Sequence, residues 1–187
     1  MTTATDWVED HFIAGDVALD FANTVYRRRP ELGADLLTDA EALGTWLDRA
    51  HLLPAGGGTR HVITDAALEE ARALRGLLWK AFDAQKDGRT IPADAFTGLL
   101  DTARRGIANV TLSPDGSMDS PDADGTLTIL ALRATALLLN PLPQGVRTCD
   151  RCGWFFIDSS RGRRRRWCSM RTCGNQAKAD RYRSTHP

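Results

Sequence analysis

The sequence predicts a mainly helical N-terminal domain, α+β only through one short β element, followed by a small four-cysteine module with a β-hairpin and a C-terminal helix. Three observations carry this. Apolar residues recur at helical spacing through most of residues 1–146. All four cysteines, Cys149, Cys152, Cys168 and Cys173, lie in residues 147–187. The charge divides at the same place: residues 1–146 hold 13 Lys and Arg against 21 Asp and Glu, a net of −8, and residues 147–187 hold 11 against 3, a net of +8. Such asymmetry marks an acidic body joined to a polyanion-binding segment.

The remaining bounds are broad. A chain of 187 residues suits one ordinary domain with a small appendage. Hydrophobic residues at 42% and charged residues at 26% exclude a disordered or fibrous chain. No apolar run approaches the roughly 20 residues of a membrane helix, and Met1 to Asp10 shows no signal-peptide core. A soluble cytoplasmic protein with no membrane partner is expected.

In chain order, Asp16–Arg27 places Val17, Ala18, Phe21, Ala22 and Val25 on one helical face. Thr38 and Glu41 read as a capping box before Leu43, Trp46, Leu47 and Ala50. Pro54 and Gly56–Gly58 make a flexible connection. A longer helix runs from Thr64 or Asp65 towards Gly88, and Pro92 opens another that stops at Gly106. Ile107–Leu112 shifts to the alternation of a strand, and Ser113–Gly125 is a loop or loose hairpin. Thr126–Asn140, with Arg133 its only charge, reads as a central helix because it is apolar all round.

The body shows no phosphate loop, no dinucleotide fingerprint, no G-x-S-x-G and no histidine pair at metal spacing, so no enzyme is expected. Its one polar cluster in an apolar helix is Asp20, Asn23 and Thr24. These residues either bond neighbouring backbone, as buried polar groups must, or line a pocket for a small-molecule effector. The run Arg27–Arg29 reads as a solvated helix end.

The cysteines follow C-x2-C, fifteen residues, then C-x4-C. Two tight pairs at that separation match one structural Zn2+ held by Cys149, Cys152, Cys168 and Cys173, with no position left for water or substrate. Disulfides do not suit a cytosolic chain, and a redox C-x-x-C opens a helix in a βαβ pattern that is absent here. About 40 residues also bury too little to fold without such a staple. Trp154–Ile157 reads as a strand after the first pair, Asp158–Gly162 as a turn, and Gly174–Ser184 as a helix.

On this module, Arg161, Arg163, Arg164, Arg165 and Arg166 precede Cys168, and Arg171, Asn175, Lys178, Arg181 and Arg183 follow at helical spacing. Zinc with four thiolates is formally −2, which leaves the module near about +6. Basic side chains at that density are what phosphate neutralisation requires. The competing expectation is that they dock on the acidic body.

The segment from Cys149 to Lys178, C-x2-C-G-W-x-F-x-D-S through W-C-S-M-x-x-C-G-N-x-x-K, resembles the CGNR zinc-finger family of bacterial proteins. In that family a basic four-cysteine finger follows an N-terminal ABATE domain, and Leu19-Asp20-Phe21-Ala22-Asn23-Thr24 is similar to that domain's opening. The resemblance implies a stress-induced transcription regulator with a DNA-binding finger. Gln176 stands where the family usually has arginine, which removes one positive charge. The expectation is therefore an acidic ABATE-like regulatory domain over 1–146 and a basic finger over 147–187 that binds double-stranded DNA. One finger buries little area, so specificity would call for a homodimer or a partner protein. The alternatives are an RNA-binding or ribosome-associated finger, favoured if Trp154 or Tyr182 is exposed for stacking, and a small-molecule-binding protein whose finger is only structural.

Overall fold

The computed structural model describes residues 6–53 and 63–186. Six helices, two short hairpins and several single-turn helices succeed one another among them. The expected connection at Pro54 and Gly56–Gly58 lies outside the described residues.

A 3-10 turn, Glu9–His11, leads into α1, Val17–Ala22, whose N-cap Asp16 accepts from the Ala18 N–H at 2.9 Å. The helix stops five residues before the predicted Arg27. Beyond it the backbone is drawn into long-range bonds: the Thr24 carbonyl accepts from Leu36 N at 3.1 Å and from Arg75 Nη1 at 2.9 Å. Val25 then forms a bridge to Asp35.

Helix α2, Ala40–Arg49, is capped by Asp39, which accepts from Ala42 N at 2.8 Å. The capping box expected at Thr38 is therefore displaced by one residue: Thr38 Oγ1 donates to Asp39 instead. A carboxylate beside the first free N–H groups is the stronger cap. Helix α3, Asp65–Lys86, starts at Thr64, one of the two caps expected, and α4, Ala93–Gly106, has Pro92 as its N-cap, one position before the first turn where it was expected.

The strand expected at Ile107–Leu112 is mostly a 3-10 turn, Ile107–Asn109, followed by β1, Thr111–Leu112, which pairs antiparallel with β2, Met118–Asp119. Helix α5, Ala123–Leu139, begins three residues earlier than its apolar run because Asp122 caps it through Gly125 N at 2.8 Å. It packs along α4 and is buried on nearly all sides over its first half, as its composition requires. Close approach there needs Gly106: a Cβ would lie 2.5 Å from the Asp124 carbonyl oxygen.

Strands β3, Val146–Thr148, and β4, Phe155–Ile157, form the finger's hairpin, with Arg147 opposite Phe156. The outer edge of β4 is closed by the body. Phe155 exchanges two hydrogen bonds with the Asn23 amide, and Ile157 N donates to the Ala14 carbonyl at 2.8 Å. Edge groups of a strand are thereby satisfied rather than left open. Phe155 and Phe156 are fully buried, and Phe82 of α3 lies 5.7 Å from the Phe155 ring. Burying rings of that size is worth about 2–3 kcal/mol each. The core runs without a break from Trp46 and Phe21 to the finger's aromatics and cysteines.

Candidate metal centre and basic surface

Each cysteine pair sits in a tight turn. The first lies between β3 and β4, where Cys149 N donates to the Trp154 carbonyl and Gly153 N to the Cys149 carbonyl. Gly153 has φ of +74°, and a Cβ there would meet Arg29 Cγ at 2.9 Å, so both the turn and the contact with the body require glycine. In the second pair, Cys168 precedes and Cys173 lies within a wide helical turn, Met170–Gly174, capped by Ser169, whose hydroxyl accepts from Arg171 N at 3.1 Å. Helix α6, Asn175–Thr185, follows directly.

The turns bring the four Sγ atoms within 4.8 Å of one another. Cys152 to Cys168 and Cys168 to Cys173 are each 3.7 Å. A tetrahedral ion with Zn–S bonds of about 2.3 Å places its sulfurs about 3.8 Å apart, whereas a disulfide requires about 2.05 Å. Hydrogen bonding among the crowded thiols holds Cys149 well below the usual thiol range, chiefly through Cys152, and pushes Cys168 well above it, chiefly through Cys149. The donor set fits one structural Zn2+: four sulfurs, three of them buried, with no fifth ligand in the cluster among the described residues.

The arginines divide into two groups. Some are bound internally. Arg165 lies 5.0 Å above the Phe156 ring and donates to the Cys168 carbonyl, and Arg166 pairs with Asp150 at 2.7 Å. Arg171 reaches across to Asp10 of the body at 2.6 Å, and Arg183 pairs with Asp180 on its own helix. Asn175 Nδ2 donates to the Arg171 carbonyl. The others are exposed. Arg161, Arg163 and Arg164 on the loop, and Lys178 and Arg181 on α6, have no ion pair among the described residues. Arg29 of the body and Arg181 also face one open groove of about 640 Å³ beside Trp167.

Asp158, which sequence reasoning treated only as a turn residue, organises that loop. It is fully buried and accepts from Ser160 N, Ser160 Oγ, Arg165 N and Arg147 Nη1 at 2.6–3.2 Å. Burial would raise its carboxyl, but the Ser160 and Arg165 hydrogen bonds outweigh that and hold it at about 2. An acid between an aromatic strand and two serines was the available signal. Gln176 accepts from Arg151 Nε at 2.9 Å, while Arg151 Nη1 pairs with Asp180, so this position ties the first cysteine turn to α6.

The run Arg27–Arg29 is not a solvated helix end, because α1 has already stopped. The Arg28 side chain is only 9% exposed, lies 4.1 Å over the Phe155 ring, and pairs with Asp83 at 2.6 Å. Asp20, Asn23 and Thr24 are likewise buried. Asp20 accepts from Ala14 N at 2.8 Å, Asn23 holds Phe155, and Thr24 Oγ1 donates to the Phe21 carbonyl. Burial raises the Asp20 carboxyl to about 7.

A helical domain with a thiolate metal finger seated on its core defines a two-part zinc-finger protein. Residues 15–141 match ABATE, described as "Putative stress-induced transcription regulator", and residues 146–186 match the CGNR zinc finger. The chain belongs to the ABATE family and carries a CGNR zinc finger at its C-terminal end. No curated protein matches it. Among the described residues no helix is long and apolar enough to cross a membrane.

Proposed function

We propose that the protein is a cytoplasmic transcription regulator that grips double-stranded DNA through its zinc finger, acting by binding and not by catalysis. The observation that carries this is the set of exposed cations without an ion pair among the described residues: Arg161, Arg163, Arg164, Lys178 and Arg181. They sit on a scaffold stiffened by four sulfurs and a buried aspartate. Phosphate oxygens are the natural acceptors for such groups, and each contact releases a counterion. Arg29 and Arg181 extend the surface along the groove beside Trp167. The ABATE domain's role is to hold and present the finger, and a homodimer would supply the area that one finger lacks.

Trp154 is buried, donates its indole N–H to the Val25 carbonyl and lines only a cleft between the body and the finger, so it offers no outer face on which a nucleic-acid strand could stack. Tyr182 is exposed but stacks on His186 at 4.4 Å. Single-stranded RNA is thus the weaker reading.

The test is fluorescence anisotropy of the zinc-loaded chain with a random-sequence DNA duplex and with a single-stranded RNA of equal length. Salt-dependent duplex binding that is lost in the Arg161→Glu/Arg164→Glu variant, at unchanged zinc content, is the expected result. Equal duplex binding by that variant at every salt concentration, or binding to the RNA alone, would overturn the reading.

A further inference from the structure

Between the Glu9–His11 turn, residues 26–36 and the two cysteine turns lies a cleft of about 300 Å³. That is the lower end of the size range of small-molecule sites. Val8, Pro30, Leu36 and Trp154 give it an apolar lining, and Asp10, His11, Arg27 and Arg151 add polar groups.

Most of those polar groups already have partners. Asp10 accepts from Arg171, and Arg151 donates to Gln176 and Asp180. His11 Nδ1 accepts from Val8 N at 3.1 Å, so the neutral ring carries its proton on Nε2 and has one donor to give. Arg27 differs. Its Nε is buried with no hydrogen-bond partner, and its guanidinium has no ion pair among the described residues. A buried donor on a cation without an acceptor costs more than an ordinary unmade hydrogen bond. Arg27 also lines the cleft as a cation without a counterion among the described residues, and an anionic occupant supplies one.

The surroundings limit what the occupant can be. The cleft also touches Cys152, Cys168 and Cys173, whose thiolates leave a zinc site formally −2, while Asp10 is already paired with Arg171. A dianion would meet more repulsion than one guanidinium offsets. A cation would leave the Arg27 donor unmet. A single carboxylate matches the fork geometry of arginine, and a flat apolar body matches the apolar part of the lining.

We propose that this cleft binds a small monocarboxylate with a flat apolar body, its carboxylate on Arg27 and its body against Trp154, Leu36 and Pro30. The cleft is walled by both parts of the chain, so its occupant would lie on the seam between the helical domain and the finger. This goes beyond the DNA reading and does not depend on it.

The test is a titration of the 15N-labelled, zinc-loaded full chain with benzoate, followed by NMR, with benzamide, benzylamine and inorganic phosphate as controls. Benzoate should give saturable shifts at the Arg27 Nε–H and the Trp154 indole N–H with zinc retained. Benzamide should bind more weakly, and the cation and phosphate should leave those signals in place. Arg27→Gln should weaken benzoate by about tenfold or more. Arg27→Lys, which keeps the charge without the fork, should fall between that variant and wild type. An absence of saturable shifts with both benzoate and phenylacetate would overturn the assignment. So would wild-type affinity in folded Arg27→Gln, or benzylamine or phosphate binding as tightly as benzoate.

Discussion

The Asn23 amide and the Phe155 peptide form a closed pair: Oδ1 accepts from the Phe155 N–H at 2.8 Å and Nδ2 donates to its carbonyl at 2.8 Å. One side chain thus stands in for a neighbouring strand, 132 residues away, at the point where the finger meets the body. Asn23→Ala removes both partners from a fully buried peptide, and each unmet group costs about 1–3 kcal/mol. The expected loss is about 3 kcal/mol in chemical denaturation. Zinc should also leave faster to a chelator, because β4 loses its outer edge. A variant with wild-type stability and zinc release would mean that this pair is not what seats the finger.

Removing a zinc ligand should reach into the helical domain. Phe155 and Phe156 are part of the same core as Phe82 and Trp46, so the aromatic strand cannot loosen alone. Cys168→Ser is expected to abolish stoichiometric zinc, keep the far-UV helical signal, and lower the single melting midpoint by about 10 °C or more. Two separate transitions, with the helical one unmoved, would show that the finger is an independent unit.

What sequence could show here follows physical range. The C-x2-C and C-x4-C spacings are local, so the metal centre was legible, and the all-round apolar run at Thr126–Asn140 announced the central helix α5. Caps were legible only to within adjacent candidates: Thr64 was one of two residues offered for α3, and the α2 cap fell on Asp39 where Thr38 was expected. What could not be read were pairings across more than a hundred residues. Nothing near Asn23 says that its partner is Phe155, and nothing near Arg28 says that Asp83 and the Phe155 ring will bury it. The end of α1 at Ala22 followed from these same distant bonds. A row of arginines likewise gives total charge, but not which members face carboxylates: Arg171 and Arg164 look alike until Asp10 is placed.

Acidity gives a signed prediction through Asp20. Burial raises its folded-state value to about 7 from an ordinary 3.8. The folded chain therefore keeps this proton where the unfolded chain has lost it. Its contribution to stability is complete below about 4 and is lost as the pH rises towards 7, by up to about 4 kcal/mol. Burial lowers His11 from 6.5, which acts in the opposite sense: that contribution is present above about 6.5 and fades as the pH falls. The Asp20→Asn variant isolates the first effect, because its side-chain oxygen can still accept from Ala14 N. The melting midpoint of wild type minus that of Asp20→Asn should fall steadily between about pH 4 and 7. A difference that stays constant would mean that Asp20 is not protonated in the folded chain.

The division among the arginines predicts unequal roles in the proposed grip on DNA. Arg171 is held by Asp10 at 2.6 Å, so a phosphate would have to displace a carboxylate from it. Arg164 is exposed with no ion pair among the described residues, so it meets a phosphate without that competition. Arg164→Ala should therefore reduce the slope of log affinity against log salt by about 1. Arg171→Ala should leave the slope nearly unchanged and, because the pair is exposed, leave the stability nearly unchanged as well. Asp10→Ala should do the reverse, freeing Arg171 and steepening the slope. Equal slope losses for Arg164→Ala and Arg171→Ala would show that the Asp10 pair opens on binding, so that the body gives up its hold on the finger when DNA is engaged.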